Sequence, residues 1–325
     1  MCIHNIFVSI ILQRKAVNYM NDRKEWQVTT MTECHLCPRD CGADRAAGKT
    51  GFCGVSEKIK IARAALHMWE EPCISGKEGS GAVFFSGCSL KCCFCQNRMI
   101  SGGRKGKEVT EERLAEIFLE LQEKNANNIN LVTAGQFLPQ VAQAITLSKD
   151  QGLKIPVVYN SSGYERADAL KSLEGLVDIY LPDFKYMDPE LAMKYSYAED
   201  YPEVAKVALE EMVHQAGEPE FDARGIMQKG VIVRHLLLPG HVKDSRNVLK
   251  YLIDTYGNRI YISLMNQYTP MPAMKDDPLL SRKVTQREYE RLIDYGISLG
   301  LENGFIQEGE TAKESFIPEF NGEGI

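Results

Sequence analysis

Ser86-Gly87-Cys88-Ser89-Leu90-Lys91-Cys92-Cys93-Phe94-Cys95-Gln96-Asn97 is the stretch that decides the fold. Its first, second and fourth cysteines are spaced C-x3-C-x2-C, and an aromatic residue precedes the last one. A loop this short can wrap three thiolates around one corner of an iron–sulfur cube, which leaves one iron without a protein ligand. An open metal position is what a chemical step at a metal requires.

This stretch resembles the signature of the radical S-adenosylmethionine (radical SAM) superfamily. The resemblance implies that Cys88, Cys92 and Cys95 hold a [4Fe-4S] cluster whose open iron chelates S-adenosylmethionine. The reduced cluster then splits the sulfonium bond, and a 5′-deoxyadenosyl radical takes a hydrogen atom from a substrate. The alternative is a structural zinc knuckle. Zinc prefers four closed ligands, and the nearest fourth candidate, Cys93, adjoins Cys92 and would have to point elsewhere.

A second cysteine set lies upstream, with the spacing C-x2-C-x3-C-x11-C: Cys34, Cys37, Cys41 and Cys53. Four soft ligands within so short a segment predict a closed site for zinc or an accessory iron–sulfur cluster. The spacing does not decide between these metals, and the alternative is four unrelated buried cysteines. His35 is expected to be a bystander because it adjoins Cys34.

The two cysteine sets together narrow the resemblance. The pattern Cys34-x-x-Cys37-Pro38-Arg39-x-Cys41-Gly42, continued by Cys53-Gly54 and by Gly87-Cys88-Ser89, is similar to one branch of the superfamily. That branch is the uncharacterised proteins related to pyruvate formate-lyase activating enzyme, and the likeness runs from Cys34 to Glu310. It implies an α/β fold, a partial (βα)6 TIM-like barrel with a small Cys-rich N-terminal metal-binding extension.

Length and composition fit a globular protein with one large α/β domain and an appendage, or with two domains. The chain has 325 residues, of which 44% are hydrophobic and 25% charged, and its net charge of −6 disfavours nucleic acid as a partner. The ten cysteines, mostly at ligand-like spacing, indicate thiols kept reduced in the cytoplasm. The apolar run 6–12 is too short to span a membrane.

The predicted organisation has three parts. Residues 1–30 are expected to be a flexible leader or a mis-assigned start, since Met20 and Met31 are alternative initiators. Residues 31–75 form the predicted Cys-rich extension, and residues 76–325 the predicted barrel.

Short apolar runs rich in Val, Ile and Leu predict parallel strands buried on both faces. They are Ala82–Ser86, Asn130–Thr133, Pro156–Asn160, Val177–Leu181, Gly230–Leu238 and Arg259–Met265, with a last strand near residues 305–310. Amphipathic helices are expected between them, one around Leu114–Leu121 and one after an N-cap at Asp244. Thr285 and Glu288 predict a capping box.

Parallel barrels carry their chemistry at the carboxyl ends of the strands. The resemblance implies that the cofactor is bound by residues at those ends, namely Phe94, Gly135, Gln136, Asn160, Ser162, Asp183, Lys185 and Arg234. Gln136 stands where activating enzymes usually carry a carboxylate for the methionine amine, and a neutral amide gives no charge pairing there.

Several of these residues have a structural alternative. The side chains of Asn160, Ser161 and Ser162 could instead cap a helix that starts at Tyr164. Asp183 and Lys185 could form a surface turn, and Arg234 could form a buried ion pair. His235 is predicted to be a core histidine, whereas His241 is a candidate for the site.

The sequence leaves the substrate open. The resemblance favours an activase-like enzyme that takes hydrogen from a protein substrate, with an electron donor such as flavodoxin or ferredoxin. The alternatives are a radical SAM enzyme that acts on a small metabolite or peptide, and a non-enzymatic iron–sulfur or zinc protein. A protein substrate requires a broad barrel mouth, and a metabolite requires a closed one.

Overall fold

A mostly parallel β-sheet organises the chain. The computed structural model describes residues 31–307 and 318–325, so the predicted leader 1–30 lies outside the described residues. The strands are β1 (Lys60–His67), β2 (Ser80–Phe85), β3 (Lys107–Glu108), β4 (Ile129–Val132), β5 (Val157–Ser161), β6 (Ile179–Pro182), β7 (Glu220–Phe221), β8 (Met227–Leu236), β9 (Tyr261–Met265) and β10 (Gly304–Ile306).

Most of the sheet consists of parallel strands. Along the path β10-β9-β8-β6-β5-β4-β2 every neighbouring pair is parallel. This arrangement confirms the predicted α/β class, and each of the six predicted barrel strands overlaps an observed one. Among the described residues the path ends at β3 on one side and β10 on the other, so the sheet is open.

Three antiparallel strands were not expected from the sequence. β1 pairs with β2, β3 pairs with β1, and β7 pairs with β8. The β1 sequence, KIARAALH, is rich in alanine, which favours helix by intrinsic propensity. Pairing with the fully buried β2 overrides that preference. β1 belongs to the sheet although it lies inside the predicted extension 31–75, and the boundary at residue 76 stays a prediction.

Helices alternate with the parallel strands. They are α1 (Pro72–Ser75), α2 (Arg98–Ser101), α3 (Glu111–Glu123), α4 (Leu138–Asp150), α5 (Ala167–Leu170), α6 (Pro189–Ser196), α7 (Tyr201–Ala216), α8 (Val242–Tyr256) and α9 (Gln286–Ser298). No helix among the described residues has both the length and the apolar composition needed to cross a bilayer.

The predicted helix signals are confirmed in two places. In α3, Leu114 and Leu121 lie on one buried face, and the Thr110 side chain accepts a hydrogen bond from the Arg113 N–H. In α9, Thr285 and Glu288 form the predicted capping box. Local signals of this kind hold because their partners lie within one helical turn.

Two predicted helix starts are wrong. Asp244 is not the N-cap of α8, because the helix begins at Val242 and the Asp244 carboxylate instead accepts the Met187 N–H at 3.2 Å. No helix starts at Tyr164, since α5 begins at Ala167. The Ser162 hydroxyl accepts a hydrogen bond from the Tyr164 N–H within a loop.

Alternation along the strands gives the sheet two different faces. Val157 and Tyr159 pack in the large core with the helices, whereas Val158 packs on the opposite face with Ile179 and Ile232. Because the side-chain period of a strand is two, Asn160 and Arg234 also lie on this second face. The polar residues of the candidate site therefore share one side of the sheet.

Candidate active site

The cysteine loop, residues 86–97, follows β2 directly. Gly87 has a φ of +88°, and a Cβ at this position would lie 2.9 Å from the Cys53 carbonyl oxygen. The Cys88 N–H donates to that same carbonyl at 3.2 Å. Glycine is therefore required for the chain to turn this close to the Cys-rich segment.

Three free thiols, Cys88, Cys92 and Cys95, lie half-buried in this loop. Burial raises their pKa, to about 12 for Cys95, and the charge of Cys92 raises the pKa of both Cys88 and Cys95 further. The Lys185 ammonium lowers the pKa of all three. Three cysteine sulfurs on one short loop are the donors that an iron–sulfur cluster requires, so these residues fit that group. A bound cluster would take them as thiolates, displacing their protons.

Within residues 31–307 and 318–325, no group of three or more His, Cys, Asp or Glu side chains is arranged to hold a single metal ion. This finding covers both cysteine sets.

Aromatic packing fixes the end of the cysteine loop. The Phe94 ring lies 6.5 Å from Tyr195 and 6.2 Å from Tyr268, both in edge-to-face contact. The Gln96 side-chain amide donates to the Gln267 carbonyl at 3.1 Å, which connects the loop to the segment after β9. Phe94 itself lines the cavity described below.

Gln136 supports the loop from behind. Its side-chain NH2 group donates to the carbonyls of Ser86 (2.9 Å), Gly87 (3.2 Å) and Thr133 (2.8 Å), and the residue is buried. Its neighbour Gly135 has no room for a side chain, because a Cβ would lie 2.7 Å from the Glu165 carboxylate. Neither residue lines the cavity.

A charged network lies below the loop, on the cavity side of the sheet. Arg234 donates to Asp183 at 3.1 Å, to Glu70 at 3.1 Å and to the Asn160 side-chain oxygen at 2.5 Å. Lys185 donates to the other Asp183 oxygen at 2.5 Å. The structural alternative of a surface turn at Asp183–Lys185 is therefore excluded, whereas the alternative of a buried ion pair at Arg234 is present.

Burial and pairing oppose each other in this network. Burial alone would raise the pKa of Asp183, but Lys185 and Arg234 hold it below its usual value. Burial raises the pKa of Glu70 and Glu71, and the Arg234 charge offsets only part of that effect. The two glutamates are thus the least stabilised charges of the network.

One cavity of about 540 Å³ joins the cysteine loop to these charges. Of the predicted site residues its lining includes Cys92, Phe94, Cys95, Asn160, Asp183, Lys185 and Arg234. Cys88, Gly135, Gln136 and Ser162 do not line it. The sequence prediction missed His67, the last residue of β1, and Glu70 and Glu71 in the segment after it, which all line the cavity. The acidic pair before Pro72 was the available signal, but β1 itself was not predicted.

The two histidines behave differently. His235 is buried, its Nδ1 lies 2.7 Å from the Phe184 carbonyl oxygen, and burial lowers its pKa to about 4, as expected of a core histidine. His241 lies outside the cavity lining, where its Nε2 contacts the Tyr195 hydroxyl at 3.1 Å.

The second cysteine set is held by backbone hydrogen bonds and by one arginine. Cys34 and Cys53 are buried, Cys37 is half-buried and Cys41 is exposed. The Arg45 guanidinium, 1% exposed, lies 3.6 Å from the Cys34 sulfur. His35 pairs with Asp40 at 2.5 Å.

Glycine makes room for two of these thiols. A Cβ at Gly51 would lie 2.9 Å from the Cys41 sulfur and 3.8 Å from the Cys53 sulfur. The thiols of Cys41 and Cys53 therefore both lie close to Gly51, where a larger residue would collide with them. Thiols are donors suited to zinc or to an iron–sulfur cluster.

Comparison with known proteins places the chain in a family. The sequence model of the radical SAM superfamily matches residues 82–252. The chain is 27% identical over 284 residues to the uncharacterized protein MJ0674 of Methanocaldococcus jannaschii, which covers 85% of this chain and 78% of that protein.

Among solved structures, SuiB of Streptococcus suis bound to the precursor peptide SuiA has a TM-score of 0.48 and 11% identity, over 69% of this chain. The chain spans about half the length of SuiB, 47%. A domain of pyruvate-formate lyase-activating enzyme from Bacteroides vulgatus has a TM-score of 0.37 and 14% identity, over 53% of this chain and 91% of that domain. With its family match over more than half of the sequence, the chain belongs to the radical SAM superfamily.

Proposed function

We propose that this protein is an oxidoreductase that uses a [4Fe-4S] cluster on Cys88, Cys92 and Cys95 to cleave S-adenosylmethionine and to abstract hydrogen from a polypeptide. Superfamily membership implies a radical SAM enzyme with that cluster and cofactor. The cluster supplies the electron, and the cofactor supplies the radical. The observation that carries the proposal is that Cys92 and Cys95 open into the same cavity as Asp183, Lys185 and Arg234.

The charge of the cavity suits the cofactor. Its lining contains three carboxyl groups, Glu70, Glu71 and Asp183, but only two permanent cations, Lys185 and Arg234. S-adenosylmethionine carries a sulfonium, an ammonium and a carboxylate, so its net charge is positive. A bound cation would stabilise the ionised forms of Glu70 and Glu71, whose pKa burial raises. The lining is therefore complementary in charge to the cofactor.

Each polar group has a distinct part in this proposal. Lys185 and Arg234 bind the cofactor carboxylate, Asn160 contacts the ribose, and Phe94 packs beside the cluster. The side-chain donors of Gln136 are all engaged by backbone carbonyls, so it orients the cysteine loop. For Cys34, Cys37, Cys41 and Cys53 we propose a second metal group, zinc or iron–sulfur, away from the reacting atoms. These side chains would have to move closer together to bind it, because as placed they form no metal site.

Exposed apolar side chains favour a polypeptide as the substrate. Trp69 and Ile306 line the cavity and are 60% and 44% exposed, and Met68 beside Trp69 is 44% exposed. Exposed aromatic and methionine side chains around a cleft are typical of protein-binding surfaces. The enzyme would receive its electron from flavodoxin or ferredoxin in the cytoplasm.

A small-molecule substrate is the second candidate. It is favoured by the depth at which Glu70 and Glu71 lie, since the cavity wall leaves little of either side chain exposed. A compact cationic metabolite would reach them, whereas a polypeptide side chain would have to enter the cavity.

Transfer of deuterium separates the two candidates. Reduced, reconstituted protein is incubated with S-adenosylmethionine and a glycyl-radical enzyme labelled with α-deuterated glycine. The proposal predicts deuterium in 5′-deoxyadenosine. Trp69→Ala should raise KM by roughly tenfold, the scale of an aromatic hot spot. The matched control is Phe221→Ala, an exposed aromatic on β7 that does not line the cavity.

Two results would count against a polypeptide. One is the absence of deuterium transfer from labelled protein while unlabelled product still forms. The other is equal KM for the Trp69 and Phe221 variants.

A further inference from the structure

A hydroxyl group from outside the cysteine loop reaches a cluster thiol. Ser196, at the last position of α6, donates from its Oγ to the Cys92 sulfur at 3.1 Å. The serine is fully buried. Ser196 follows Cys92 by 104 residues, so this contact depends on how α6 packs against the loop. The Cys93 N–H also donates to the Tyr195 carbonyl at 2.9 Å, which fixes the same packing through the backbone.

Tyr186 sets the direction of this hydrogen bond. Its hydroxyl lies 2.8 Å from Ser196 Oγ, and the tyrosine is 1% exposed. A serine hydroxyl has one hydrogen. Because that hydrogen points to sulfur, Tyr186 must be the donor to Ser196. The three groups form a relay, Tyr186 O–H to Ser196 O–H to Cys92 sulfur, and each bond polarises the next.

Arg39 of the Cys-rich segment fixes the helix end that carries Ser196. The last carbonyls of a helix have no partner within it, and Arg39 donates to those of Ser196, at 2.9 Å, and Tyr197. The same guanidinium donates to the carbonyl of Ser89 at 2.8 Å, inside the cysteine loop. One side chain thus joins the end of α6 to the loop.

We propose that Ser196 tunes the reduction potential of the cluster, and that Tyr186 and Arg39 are the residues that position it. A hydrogen bond to a ligand sulfur withdraws electron density and favours the reduced, more negative cluster. The relay therefore makes the cluster easier to reduce. This inference rests on the proposed function only in placing a cluster on Cys88, Cys92 and Cys95.

The first test is the midpoint potential of the reconstituted protein, followed by electron paramagnetic resonance without S-adenosylmethionine. Ser196→Ala should shift the potential to a more negative value while the iron and sulfide content stays unchanged. The matched control is Ser148→Ala, an equally buried serine whose hydroxyl donates to the Ile145 carbonyl at 2.8 Å. An unchanged potential in Ser196→Ala with full iron would overturn the proposal.

Tyr186→Phe tests the relay and leaves the serine hydroxyl in place. It should shift the potential in the same direction by a smaller amount. In the Ser196→Ala background it should have no further effect, because the hydroxyl through which it acts is gone. Equal shifts in both backgrounds would refute the relay. If Ser196→Ala binds less iron than the Ser148→Ala control, the midpoint potential of Tyr186→Phe tests the proposal instead.

Arg39 provides the third variant. Arg39→Gln should shift the potential as Ser196→Ala does, and Arg39→Lys should be intermediate because an ammonium lacks the planar fork. Resonance Raman spectra in D2O should show a deuterium shift of the iron–thiolate bands that Ser196→Ala abolishes. A deuterium shift that persists in that variant would contradict the assignment.

The outcomes separate this inference from the proposed function. Protein that holds a cluster with the predicted shifts but does not cleave S-adenosylmethionine refutes the proposed function alone. Unchanged potentials in variants of a protein that does cleave it refute this inference alone.

Discussion

The two cysteine sets have similar spacing but different surroundings. Cys92 and Cys95 line a cavity that also contains Asp183, Lys185 and Arg234. The set from Cys34 to Cys53 lines no part of that cavity, and one member, Cys41, is exposed. Thiol spacing therefore predicts that a segment binds metal, whereas its position at a strand end predicts whether chemistry occurs there.

The largest expected effect would separate the two sets by activity. Cys92→Ala removes a proposed ligand of the [4Fe-4S] cluster, so cleavage of S-adenosylmethionine should fall to the rate without enzyme. Cys37→Ala should keep the cluster and its electron paramagnetic resonance signal while the second metal is lost. Metal analysis of a Cys88/Cys92/Cys95 triple-alanine variant would show whether the second cysteine set holds zinc or iron. If Cys37→Ala kept an intact cluster but lost all activity, the second cysteine set would take part in the reaction, contrary to this account.

Arg234 near the cysteine loop and Arg45 beside Cys34 should contribute differently to the stability of the fold. Arg234→Gln leaves Asp183 and Glu70 buried without their cation, which should lower the free energy of unfolding by about 3–5 kcal/mol. Arg45→Gln removes donors to the Ser56 carbonyl and the Cys34 thiol, and it should cost about 1–3 kcal/mol. Urea denaturation of reduced, metal-free protein measures both. A larger loss for Arg45→Gln would reverse the assignment.

The pH dependence of stability should also differ between the two regions. Near the second cysteine set, burial raises the pKa of Glu165 from 4.5 to about 8. The Glu165 charge in turn raises the pKa of Cys37. Burial raises the pKa of Asp244, which holds the segment before α6, from 3.8 to about 6. Between the ordinary and the raised pKa of each carboxyl group, the unfolded chain has lost a proton that the folded chain keeps. The free energy of unfolding therefore falls as the pH rises through that range.

Substitution by the neutral amide should remove each contribution. Glu165→Gln should flatten the decline between about pH 4.5 and 8, and Asp244→Asn the decline between about pH 4 and 6. Thermal melts of metal-free protein across this range provide the comparison. Parallel curves for a variant and the unaltered protein would show that its carboxyl does not titrate as described.

The smallest expected effect is the loss of stability caused by a substitution far from both cysteine sets. Thr285→Ala removes the cap of α9, where the threonine side chain accepts the Glu288 N–H. It should cost about 1 kcal/mol of stability and leave both metal contents unchanged. A loss of iron in this variant would show that cluster content reports general stability.

Local patterns in the sequence predicted the elements whose partners lie nearby. The cysteine loop, the apolar strands and the Thr285 capping box all follow from residues within a few positions of one another. The missed features depend on distant partners. β1 is defined by its pairing with β2, and Glu70 joins the site through Arg234.

Roles were also harder to predict than positions. The resemblance to activating enzymes predicts Gln136 beside the cofactor, yet its amide donors are used by three backbone carbonyls. Arg39 belongs to the Cys-rich pattern, but the pattern does not indicate its role, and Ser196 at the end of a helix gave no local signal. Their contacts with the cysteine loop exist only in the folded chain.

The central claim is that three thiolates leave one iron open for S-adenosylmethionine. Its most direct test is the product analysis of anaerobically reconstituted, dithionite-reduced protein incubated with that cofactor. We predict methionine and 5′-deoxyadenosine in equal amounts, and neither product in Cys92→Ala. Protein with a full iron content that forms neither product would contradict the claim.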